Sequence, residues 1–79
     1  NKGNPVIAVS FDNGTSWKSY NEQWTLLSDS TTGMPMETLA AIPAESWNEQ
    51  IKGLTSFKMR FTLTAADDVV TNIIIDFMN

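Results

Sequence analysis

SFDNGTSW, residues Ser10 to Trp17, sets an Asp-Asn-Gly corner between an apolar stretch and a tryptophan, with a hydroxyl residue at each free position. Asn13 and Gly14 tolerate the positive φ that a tight reversal demands, so the corner reads as the tip of a hairpin. The stretch before it, PVIAVSF (residues 5–11), alternates as a strand. Ile7, Val9 and Phe11 fall on one face, and Val6, Ala8 and Ser10 on the other. After it, SWKSY returns as a short strand and QWTLLS follows as another.

The rest of the chain extends the β pattern. DSTTGMP (residues 29–35) is a loop by composition, and METLAAIP is strand or helix, ended by Pro43. AESWNEQIKGL carries Ser46 and Glu49 at the spacing of a capping box, Trp47, Ile51 and Leu54 on one helical stripe, and Gly53 for a C-terminal cap. This predicts one short helix over residues 46–52. SFKMRFTLT alternates strictly: Phe57, Met59, Phe61 and Leu63 point to the core, while Lys58, Arg60, Thr62 and Thr64 point away. AADD is a turn, and VVTNIIIDFM is a last strand with Ile73, Ile75 and Phe77 as its inward set. The expected fold is mostly β, a small antiparallel β-sandwich of about five to seven strands with that one helix. Residues 1–79 form a single module, and the opening Asn1-Lys2-Gly3 reads as the start of a piece excised from a larger protein.

Composition narrows the chemistry. The chain has no cysteine and no histidine, which removes disulfides, thiol and imidazole nucleophile sets and the usual zinc, haem and iron–sulfur ligands. No cofactor is expected. Net charge is −4 with five basic residues spread singly, which speaks against nucleic acid and anionic membrane as partners. No apolar run approaches the roughly 20 residues of a membrane-spanning helix.

Ser10-x-Asp12-x-Gly14-x-Ser16-Trp17 resembles the Asp-box, the hairpin motif of sialidase (BNR-type) propellers and other secreted β proteins, with Ser16 where threonine is usual. The resemblance covers eight residues and implies a structural role remote from catalysis. The residues themselves agree with that role. Asp12 can accept bonds from turn amides, Gly14 supplies the backbone conformation, Ser10 and Ser16 can close the neck, and Trp17 can fold back as an apolar plug. Sialidase chemistry, as the resemblance implies it, needs a trio of arginines and a tyrosine nucleophile. Here Arg60 and Tyr20 stand alone, so no enzyme is expected.

Other site chemistries fare no better. The acids, Asp12, Glu45, Glu49, Asp67 and Asp68 among them, fall in turns, in the first turn of the helix or on polar strand faces, where charge is solvated. Asp12-Asn13 and Asp67-Asp68 lack the ligand spacing of a twelve-residue calcium loop, and metal ligands are not assigned. Asn13-Gly14-Thr15 is a formal glycosylation sequon in a tight turn. Two function classes follow. In one, the chain is a structural, assembly or receptor-presenting module of an extracellular or virion protein, resembling modules of phage tail fibres and bacterial surface proteins. Its sheet edges and exposed Met34, Met36, Ile74 and Met78 would then meet other protein chains. In the other, Tyr20 and Trp24, with Asn21, Glu22 and Gln23 between them, form an aromatic ledge that binds glycan.

Overall fold

The computed structural model of the chain describes residues 5–28 and 32–78. Asn1-Lys2-Gly3 and the first part of the DSTTGMP loop lie outside them. The elements in chain order are β1 (Val6–Ser10), β2 (Lys18–Asn21), β3 (Gln23–Leu26), α1 (Met36–Ala40), α2 (Ala44–Ile51), β4 (Ser56–Thr64) and β5 (Val70–Met78). All pairings are antiparallel, and the five strands make one sheet in the order β3-β2-β1-β4-β5. The fold is mostly β, as expected.

The second layer differs from expectation. It is not a second sheet but the two short helices, so the architecture is a single sheet with one face covered by α1 and α2. Proline explains the second helix. Pro35 and Pro43 each precede a helix in extended conformation (ψ 163 and 145). A proline just before a helix lacks only an N–H that would go unpaired there, and Pro43 both stops α1 and starts α2. The start of α2 therefore lies at Ala44, two residues before the predicted one. Ser46 and Glu49 do not cap it, since no side chain caps this N-terminus. Ser46 is spent elsewhere, as described below. Gly53 does close the helix as predicted, at φ 83, with the Leu54 N–H donating to the Ile51 carbonyl (2.9 Å).

β1 is the central strand, and its residues 7–10 are fully buried on both faces. On one face, Ile7 and Val9 join Met34 and Ile42 in the core, and Leu39, Trp47, Phe57, Met59 and Phe61 pack around them. Met34 is thus buried, not a surface contact residue. The cause is backbone pairing. Met34 exchanges two hydrogen bonds with Ile7 (2.7 and 2.8 Å), filling the space beside β1 that β2 leaves open below its Val9–Lys18 pair.

The opposite face is also sealed in part. Ala8, Ser10, Arg60 and Thr62 are buried there, although alternation placed Arg60 and Thr62 on a solvated side. The guanidinium of Arg60 lies 4.9 Å from the Trp17 ring centre and donates to the Thr32 carbonyl (3.1 Å). A planar guanidinium stacks readily on an indole face, which lets this cation lie under the returning loop. Alternation reads which face a residue occupies, but not whether a loop returns to cover that face.

Candidate functional site

Three surfaces carry the residues that the sequence singles out. The first is the corner after β1. Asp12 Oδ1 accepts from the Ser10 hydroxyl (2.8 Å) and the Ser16 N–H (2.8 Å), and Oδ2 accepts from the Ser16 hydroxyl (2.5 Å). The Ser10 hydroxyl in turn accepts from the Gly14 N–H (2.8 Å). Asn13 and Gly14 both have positive φ, 62 and 87. The corner is closed by its own side chains, and the oxygens of Asp12 are turned inward on the loop that carries it.

These bonds favour the carboxylate. The Ser16 hydroxyl, then the Ser16 N–H and the Ser10 hydroxyl, lower the Asp12 pKa from 3.8 to about 2. The folded value lies below the unfolded one, so the corner's contribution is present above pH 3.8 and is lost as pH falls from there toward 2. A carboxyl-carbon NMR titration checks this. We expect a midpoint near 2 that moves toward 3.8 in Ser16→Ala. A parent Asp12 that titrates at its ordinary value contradicts the bonding.

The second surface is the aromatic layer. Tyr20 and Trp24 face each other across the β2–β3 hairpin, which reverses at Glu22 (φ 65), and their rings meet edge to face at 5.3 Å. Trp24 also meets Phe11 at 5.0 Å and Trp47 at 5.2 Å. Both polar tips end on one residue of α2. The Tyr20 hydroxyl lies 3.0 Å from the Ser46 Oγ, and the Trp24 N–H donates to the Ser46 carbonyl (3.0 Å). The structure brings the two residues together, half-buried, as the joint between the hairpin and α2.

A cleft of about 420 Å³ separates the Asp12 corner from the start of β4, lined by Phe11, Asp12, Asn13, Leu54, Phe57 and Lys58. It holds one carboxylate, already engaged by serines. Asp67 and Asp68 belong to the β4–β5 turn, where Asp67 accepts from the Val69 N–H (3.3 Å) and Asp68 adopts φ 67. Among the described residues, no group of three or more His, Cys, Asp or Glu side chains converges. No helix among them is long and apolar enough to cross a membrane.

The third surface is β5, the strand at the sheet edge. It pairs with β4 over nine consecutive residues without a bulge, from Val70–Thr64 to Met78–Ser56. Only Phe77 is half-buried, and the remaining residues of the strand are exposed. Ile73 and Ile75, expected in the core, are 45% and 43% exposed, because the helices lie over β1 and the base of β4 and stop short of the edge. Ile74 (54%) and Met78 (81%) protrude from the other face. Lys58 and Asp76 form an ion pair across the β4–β5 hairpin.

The sequence reading named Ile74 and Met78 but missed Val70, Ile73 and Ile75 as surface. The signal was present. Ile73-Ile74-Ile75 breaks the alternation, and an apolar strand that does not alternate has two faces to cover. No family model, curated protein or solved structure matches the chain.

Proposed function

We propose that the chain is a non-catalytic structural and assembly module of a larger extracellular or virion protein, of the tail-fibre type, and that it works by joining other protein chains at its sheet edge. The observation that supports this reading is β5. A nine-residue edge strand with exposed Val70, Ile73, Ile74, Ile75 and Met78 is the kind of edge that folded proteins otherwise blunt with shortness, charge, proline or a bulge. The opposite edge is built in that protective way: β3 is four residues long and carries Gln23 and Thr25. Asymmetry of this kind fits a strand kept open for a partner. The closed Asp12 corner and the Ser46 joint supply stiffness and hold no reactive group in waiting.

A photo-crosslinking amino acid at position 74, compared with position 25 on the other edge, tests the reading in the particles or cells that bear the protein. We expect a protein–protein adduct from position 74 and none from position 25. Glycan-array binding that depends on Tyr20 and Trp24, with no adduct at position 74, would support the carbohydrate-binding alternative and overturn the assembly one.

A further inference from the structure

Resting on that assembly reading, we propose that the partner of β5 is a second copy of this chain, its own β5 paired antiparallel across a two-fold axis at Ile74. The parity of the hydrogen bonds determines what the edge offers. The Ala65 N–H donates to the Val69 carbonyl (2.9 Å) inside the β4–β5 turn, which makes Ala65–Val69 a bonded pair. Bonded and non-bonded pairs alternate along an antiparallel ladder. Thr71, Ile73, Ile75 and Phe77 therefore bond to β4, and Val70, Asn72, Ile74, Asp76 and Met78 turn their backbone N–H and C=O outward. The far side of β4 agrees with this. Ile7 gives both its backbone groups to Met34, so Phe61 opposite it makes no bonds to β1 and must make them to β5.

Any extended strand could meet those amides, and side-chain order selects this one. A two-fold at Ile74 sets Ile74 against Ile74, Ile73 against Ile75, Asn72 against Asp76, Thr71 against Phe77 and Val70 against Met78. All nine residues are used, and apolar meets apolar along most of the seam. The single acid meets an amide. Asn72 Oδ1 already accepts from the Thr62 hydroxyl (2.7 Å), which presents its N–H₂ group, and Asp76 gives Oδ1 to Lys58, which presents Oδ2. Other registers are poorer. A slip that sets an odd-numbered residue against an even one mismatches the amides. A two-fold at Ile73 or Ile75 leaves strand ends unpaired. A two-fold at Asp76 sets acid against acid, and one at Asn72 sets Asp68 against Asp76. Like charges placed directly opposite are destabilising.

The chain has no cysteine, so a single introduced thiol reports the register directly. Bonded antiparallel pairs place Cα atoms about 5.5 Å apart, within disulfide range. Sedimentation equilibrium of the parent should show a concentration-dependent dimer. Ile74→Cys should oxidise to a covalent dimer at least about tenfold faster than Thr25→Cys on the opposite edge, since only the former pairs with itself. Ile74→Lys, which sets two ammonium groups face to face at an exposed site, should remain monomeric with an unchanged circular dichroism spectrum. A parent that stays monomeric at all concentrations overturns the proposal, as does a dimer whose Ile74→Cys variant oxidises no faster than Thr25→Cys. Should Ile74→Lys fail to fold, the parent and the two cysteine variants still decide. A position-74 crosslink to a different polypeptide, with the parent monomeric, overturns self-pairing while leaving the assembly reading intact.

Discussion

Replacing Ile7 by alanine should destabilise the domain by about 2–5 kcal/mol, the range for removing a buried aliphatic side chain whose cavity only partly collapses. Ile7 is 0% exposed on the central strand and packs with Val9, Met34 and Ile42. Its neighbours are fixed on three sides: Phe61 by the sheet register, Met34 by the two backbone bonds and Ile42 by the proline that follows it. Collapse is therefore restricted, and the upper half of the range is the better guide. A domain of this length has a total stability of only about 4–12 kcal/mol, so the loss is a large fraction of it. Urea unfolding reads the change. The control is Ile74→Ala, the same chemistry at 54% exposure, which should cost under about 1 kcal/mol in the monomer. Equal losses at the two sites would contradict the placement of β1 at the centre and β5 at the rim.

The second large effect is at Gly33. A Cβ there would lie 2.6 Å from the Ile7 carbonyl oxygen and 2.8 and 2.9 Å from its carbon and nitrogen. These are backbone atoms of the central strand, with no rotamer to yield. Gly33→Ala must push the segment off β1 and strain both Ile7–Met34 bonds. Overpacking of this sort costs about 1–3 kcal/mol, and each weakened hydrogen bond adds about 0.5–1.5 kcal/mol. The same urea experiment checks it. A stability within about 0.5 kcal/mol of the parent, the usual range for a neutral surface change, would show that Met34 does not sit against Ile7 as described.

These two sites mark where the sequence could be read and where it could not. The hairpin corner was legible because each of its bonds is local. Ser10, Asp12, Gly14 and Ser16 lie within seven residues, and the turn chemistry of Asn-Gly needs no distant partner. β4 was legible because strict alternation over nine residues fits only a strand. The role of Gly33 was hidden, since a glycine in a polar loop looks the same whether it faces solvent or another backbone. The burial of Arg60 was hidden for a related reason: Trp17 and Thr32 cover it from sites more than twenty residues away, beyond the reach of any local pattern. Tyr20 and Trp24 illustrate a third case. Their pairing across a short hairpin could be read from spacing, but the hydrogen bonds that tie both to Ser46 depend on where α2 packs. The sandwich expectation failed on the helices, because METLAAIP fits either secondary structure until Pro35 and Pro43 are read as helix starts.

The central claim is that β5 is an open edge that takes another strand, and residue-resolved amide exchange tests it most directly. In dilute solution the Thr71, Ile73, Ile75 and Phe77 amides should be protected by β4, while those of Asn72, Ile74, Asp76 and Met78 exchange rapidly. As concentration rises, the second set should gain protection, with Ile74 at its centre. Protection of both sets alike at the highest dilution, or rapid exchange of the second set at every concentration, would contradict the account.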